Sequence, residues 1–129
     1  MKEQLDRITD AVIEAAITVH RELGPGLLES TDEACLAYEP PERGLVVERQ
    51  KELPVRYRGV QWGCWYRIDM LVEDLVALAL KAVERPEPIH AAQLLSYLKP
   101  SWCKLGQPIN FNVKVLKNGT RRLVNGLRD

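Results

Sequence analysis

Six apolar residues in an unbroken row, Leu75-Val76-Ala77-Leu78-Ala79-Leu80, constrain this chain more than any other stretch. A strand with one wet face alternates apolar and polar residues, so a row without alternation marks a strand covered on both faces. The chain must therefore hold a sheet with further structure packed on each side. Lys81 follows at once, and a charge closing a buried strand needs a reason. Upstream, Glu73-Asp74 reads as a tight turn, and Trp62 to Val72 reads as a long strand, with Trp65, Ile68, Met70 and Val72 set around polar Arg67 and Asp69. Folding at that turn puts Asp69 on one strand and Ala79 and Lys81 on its neighbour. Those two share a face, because side chains alternate along a strand.

The covering layers are legible on either side. Leu5, Ile8, Val12, Ala15 and Val19 recur at helical spacing, and Gly24-Pro25-Gly26 ends that helix. Ser30 with Glu33 has the form of a capping box for a second helix, which Pro40-Pro41 should stop. Leu45-Val46-Val47 and Val55-Arg56-Tyr57-Arg58 have strand character. Pro88 suits the first position of a third helix running through Ile89, Leu94, Leu95 and Leu98 to Lys99. Pro108 to Val113 reads as a strand, and Asn118-Gly119 as a hairpin turn before a last strand at Arg122-Leu123-Val124. The order α-α-β-β-β-β-α-β-β contains a strand-helix-strand crossover joined to antiparallel strands. That predicts a mixed sheet flanked by helices, of the α/β or α+β class. At 129 residues the whole of 1–129 is expected to be one domain.

With 18 basic and 18 acidic residues the net charge is zero, which argues against holding nucleic acid by bulk charge but leaves a local basic groove open. Cys35, Cys64 and Cys103 are odd in number and form no CxxC pair, as expected of free thiols in a reducing compartment. The first residues have no apolar stretch of a signal peptide, and no apolar run reaches the roughly 18 residues that a membrane span needs. The cytoplasm is the expected location, away from membranes.

Two uses are open for Lys81. Beside a metal-binding Asp69 its ammonium would serve phosphoryl chemistry, stabilising developing charge or positioning water. Alternatively it is a strand-end lysine reaching for water and pairing with an acid. His90, Gln93 and Tyr97 share one face of the third helix, three and four residues apart. Such a stripe suits either a phosphate or ordinary hydrogen bonding.

Several longer stretches resemble the small proteins named for a GxxExxY motif, a branch of the PD-(D/E)XK nuclease superfamily. The resemblance runs from Ile13 to Leu127. Its carriers are Val19 to Ser30 (VHRELGPGLLES), Tyr66 to Glu73 (YRIDMLVE), Leu80 to Glu84 (LKAVE), Ile89 to Lys99 (IHAAQLLSYLK) and Ile109 to Val113 (INFNV). It implies a PD-(D/E)XK restriction-endonuclease-like core and metal-dependent cleavage of nucleic acid, DNA before RNA, with Mg²⁺ or Mn²⁺. It also implies roles: Asp69 as central metal-binding aspartate, Glu29 as outlying acid, and Lys81 as the lysine of the acid-X-lysine strand. Gln93 and Tyr97 would be the accessory-helix pair, with Arg67, His90 and Tyr97 contacting nucleic acid.

Two departures matter. Ala79 stands where the acid two residues before Lys81 belongs, and Asp32 where the motif tyrosine belongs. Losing a carboxylate that touches the metal should cost at least the roughly 10–100-fold that losing an outer partner costs. The site therefore reads as that of an impaired nuclease, with Glu73, Glu84 and Asp32 as candidates for a relocated acid. The alternative is a catalytically silent module that binds nucleic acid or protein on the same fold. The basic stretch Lys114, Lys117, Arg121, Arg122, Arg128 is either a phosphate-facing edge or a solvated hairpin. Trp62 and Trp65 serve the core or a self-association surface, the latter implying a homodimer.

Overall fold

In the computed structural model the apolar row forms a central strand whose two faces meet two different hydrophobic clusters. The structure describes residues 1–85, 88–99 and 103–124, and of residues 53–57, 61–66 and 97 the backbone only. The elements are α1 (Lys2–Leu23), α2 (Glu29–Glu42), β1 (Val47–Tyr57), β2 (Val60–Val72), β3 (Val76–Lys81), α3 (Pro88–Leu98), β4 (Leu105–Asn110) and β5 (Leu123–Val124), with a 3₁₀ turn at Leu116–Gly119. The described strands form one sheet in the order β1-β2-β3-β4-β5. Only β3 and β4 run parallel, and α3 lies in the chain between them. This is the mixed α+β architecture expected from the order of elements.

Val76, Leu78 and Leu80 join α1 residues such as Leu5, Ile8 and Val12 in the larger cluster. Ala77 points the other way, to Leu94 and Leu98 of α3, with half-buried Ala79 against the same cluster. Each fully buried Val, Leu or Ile contributes about 1.5–3 kcal/mol, so both faces of β3 favour the layered fold. The turn before β3 has φ of +53° at Glu73 and +57° at Asp74, positive at both central positions as a type I′ turn demands. Neither residue is glycine. Glu73 compensates by accepting the Val46 N–H on Oε2 (2.8 Å) and donating its own N–H to Val46 O (2.9 Å), which ties the turn to β1.

Five expectations need correction. Helix α2 passes through Pro40 and Pro41 to Glu42. In a last turn the carbonyls matter more than the missing donors: Pro40 O accepts from Arg43 and Leu45, and Pro41 O from Gly44. The Ser30–Glu33 capping box is not formed; the N-cap is Leu28, without a side-chain bond, and Glu33 turns to β1 instead. The two short strands before Gly59 are one strand, β1. Strand β4 begins at Leu105 rather than Pro108, because it pairs with β3 from Val76↔Leu105 to Lys81↔Asn110. Asn118-Gly119 closes the 3₁₀ turn and makes no hairpin. Leu116 is buried there against the larger cluster, and β5 reaches β4 through that longer connection. The side chains of Trp62, Cys64 and Trp65, and Trp102 altogether, lie outside the described residues. Among the described residues no helix is long and apolar enough to cross a membrane.

Candidate active site

Strands β2 and β3 pair at Val72↔Val76, Leu71↔Ala77 and Met70↔Leu78, and the ladder then stops. One step further the register would set Asp69 opposite Ala79. Here the side chain takes over from the backbone: Asp69 Oδ2 accepts the Leu80 N–H at 2.8 Å. The sheet forks at that point, with a carboxylate in the crotch. On the other side of β2, the paired residues Arg49↔Met70 and Lys51↔Ile68 flank Gln50, whose φ is +51°. Left-handed backbone is uncommon for a non-glycine residue, costs on the order of 1–3 kcal/mol, and clusters at functional sites.

That twist directs Gln50 toward α2. Its amide donates to Glu33 Oε1, while Arg49 donates to Glu33 Oε2 from Nη2 (2.8 Å) and Nε (3.3 Å). Glu33 is only 9% exposed, and these bonds fix its carboxylate. Glu29, one turn earlier on α2, accepts the Ala82 N–H on Oε1 at 3.2 Å, which links the helix start to the chain just beyond β3. Glu29, Glu33, Gln50, Asp69 and Leu80 share a cavity of about 220 Å³ on the α2 side. On the α3 side a second cavity of about 150 Å³ is lined by Arg67, Asp69, Ala79, Lys81, His90 and Gln93, among others. Asp69 belongs to both. It therefore separates an acidic chamber from a largely basic one.

Electrostatics follow from that position. Burial pushes the Asp69 carboxyl above its ordinary range; the Leu80 N–H opposes this, Glu33 adds to it, Lys81 opposes it, and Glu29 adds to it. Of the residues singled out in the sequence, Glu29 lines the α2-side cavity with Asp69, and Lys81, Gln93, Arg67 and His90 line the α3-side cavity with it. Arg67 is exposed and pairs with Glu52 at 3.3 Å. The Tyr97 side chain lies outside the described residues.

None of the three candidate relocated acids lines either cavity. Glu73 is held at the β2–β3 turn by Val46. Glu84 is exposed beyond the end of β3. Asp32 is 1% exposed, with Oδ1 unpartnered; burial raises its pKa, His20 opposes this, and Glu29 adds to it. The acid that does face the site is Glu33. Its signal was its position four residues after Glu29, on the same helix face. Gln50 had no signal, since its role depends on a local backbone twist.

Asp69, Glu29 and Glu33 offer hard oxygen donors, the type that Mg²⁺ and Mn²⁺ take. Among the described residues no three acidic, His or Cys side chains converge as a ready metal cluster. Asp69 and Glu29 each have one oxygen engaged by a backbone N–H and, among the described residues, one without such a bond. The set fits a cation completed by phosphate and water, as Mg²⁺ sites usually are.

A family model described as the PD-(D/E)XK nuclease superfamily matches residues 6–123. No curated protein and no solved structure matches the chain.

Proposed function

Because the chain belongs to the PD-(D/E)XK nuclease superfamily, we propose that its forked site is built for metal-dependent hydrolysis of phosphodiesters in nucleic acid and is weakened by Ala79. The observation that carries this is the placement of Asp69 between the acidic cavity and Lys81. Asp69 and Glu29 would hold Mg²⁺ or Mn²⁺, with Glu33 as a further carboxylate on the same side. When bound, the ion would neutralise charge on the phosphate under attack. Lys81 supplies a fixed cation on the opposite side, where it stabilises the phosphorane charge or orients water. Gln93 lines the same cavity and would offer its amide to the substrate there. Arg67, His90 and Tyr97 are assigned to the nucleic-acid strand, DNA before RNA. Within the superfamily the chain is assigned to the GxxExxY branch on Gly26 and Glu29, with Asp32 replacing the tyrosine.

Ala79 favours a second reading, a silent nucleic-acid-binding member. A methyl group replaces the motif carboxylate one step beyond the last β2–β3 pair, and among the described residues no acid besides Asp69, Glu29 and Glu33 lines the two cavities. Cleavage of plasmid and single-stranded DNA in Mn²⁺ separates the two, with Lys81→Ala as the blank. Cutting by Ala79→Glu alone assigns the site and its defect. Cutting by the parent as well shows that Glu33 or Glu29 suffices. If neither protein cuts, hydrolysis is rejected and the binding module stands.

A further inference from the structure

Lys81 and His90, with Pro108, line a third cavity as well as the second, so the two adjoin across these residues. The third cavity has a volume of about 80 Å³, several times the roughly 10–15 Å³ that one water needs on the same measure. Ala91, Pro108 and Ile109 make its apolar walls, and Asn118 and Arg121 bring polar groups to it. We propose that this pit receives one unstacked base of a single-stranded nucleic acid whose backbone passes Lys81. The proposal rests on the site described above being a nucleic-acid site, and it names the form of the strand.

Shape and charge agree on that occupant. A base has two apolar faces and a polar edge, matching apolar walls with the polar residues Asn118 and Arg121 in the same lining. Arg67, Lys81 and Arg121 bring positive charge along the two cavities, while Asp69 is the one acid lining them among the described residues, so the path complements a polyanion. The walls are also pre-formed. Asn110 Oδ1 accepts the N–H groups of Val83 and Asn112, and its Nδ2 donates to Val83 O at 2.8 Å. Gly119 packs so closely on Asn110 that a Cβ there would lie 2.3 Å from the Asn110 carbonyl oxygen. The Arg121 N–H donates to Pro108 O at 3.2 Å, which fixes the backbone from which the guanidinium extends. A paired, stacked base cannot enter such a pit without first leaving its helix, at an energetic cost. Single strands are therefore preferred.

The test is equilibrium binding in EDTA, read by fluorescence anisotropy, of a labelled 15-residue oligothymidine and a duplex of the same length. The parent should bind the single strand more tightly. Arg121→Ala and the pit-filling Ala91→Phe should each weaken single-strand binding by roughly 5- to 100-fold, the span of one lost base stack. Lys117→Ala, which removes a nearby charge outside the pit, should weaken both ligands by one small common factor. Equal or tighter duplex binding by the parent overturns the proposal, and so does parent-like single-strand binding by Arg121→Ala. Circular dichroism checks that Ala91→Phe is folded, and the exposed Arg121 site keeps the test decisive if it is not. Because binding is read without metal, binding as described together with no cleavage in the Mn²⁺ assay would leave the pit standing and reject hydrolysis. Cleavage of both forms, unaffected by Arg121→Ala, would do the reverse.

Discussion

Replacing Ala79 by glutamate should make the metal-free protein less stable and the metal-loaded protein more responsive than the parent. Ala79 falls one step beyond the last pair, Met70↔Leu78, where the register if continued would set it opposite Asp69. Directly opposed side chains start about 4.5–5.5 Å apart. Two carboxylates at about 5 Å repel by about 3 kcal/mol at an effective dielectric near 20. Ala79 is only half-buried, so screening should reduce this to about 1–2 kcal/mol. For a chain of this size about 1 kcal/mol moves the melting temperature by roughly 3–5 °C, so metal-free Ala79→Glu should melt about 3–10 °C below the parent. Metal reverses the order of response. At 100 times its Kd, Mn²⁺ stabilises a protein by about 2.7 kcal/mol. If the parent binds 10–100-fold more weakly, the same Mn²⁺ concentration stabilises it by only about 0.4–1.4 kcal/mol. Scanning calorimetry of both proteins with and without Mn²⁺ reads all four values. An Ala79→Glu protein as stable as the parent without metal, and no more responsive to it, would refute the placement of residue 79 beside the carboxylates.

Three further outcomes follow from single residues. Gln107 is fully buried with neither amide atom partnered among the described residues, so Gln107→Leu should raise stability by about 1–3 kcal/mol; a lower urea midpoint at unchanged m would show that the amide is satisfied. The folded Asp69 holds its proton more tightly than the unfolded group, whose ordinary value is 3.8. The folded state therefore loses stability as pH rises from that ordinary value through the raised one. Asp69→Asn should be more stable than the parent at pH 7 and equal to it well below pH 3.8; a constant difference between the two pH values in urea titrations would contradict this. Gly119→Ala would drive a methyl group to 2.3 Å from the Asn110 carbonyl oxygen and should cost about 1–3 kcal/mol in thermal unfolding. An unchanged melting temperature would mean that the 3₁₀ turn is free to shift.

The parts of the site carried by regular strands were readable from the chain. An unalternated row announces a doubly covered strand, and period-two geometry then brings Asp69 and Lys81 to neighbouring strands around one fork. The crossover through α3 followed from Pro88 and the spacing of Leu94, Leu95 and Leu98. What escaped depended on tertiary competition. Glu33 has the pattern of a helix cap, yet Arg49 and Gln50 offer its carboxylate three donors on β1. Pro40 and Pro41 look like terminators, but the loop beyond them supplies N–H groups to their carbonyls. Asn118-Gly119 is a strong hairpin signal locally; burial of Leu116 and contact with Asn110 won instead. The start of β4 was set by its partner β3 rather than by its own composition.

The fork has a consequence for how such a chain can change over generations. The ladder has already ended at Met70↔Leu78, and the Leu80 N–H is taken by Asp69. Residue 79 thus has no role in the β2 ladder, and its side chain borders the smaller cluster and the second cavity. Exchanging a carboxylate for a methyl group there removes repulsion and breaks no contact seen in this fold. Selection for a well-folded protein cannot preserve an acid at that position; only selection for the reaction can. A lineage relieved of the need to cut would lose this residue first, and its fold would be no less stable for the loss.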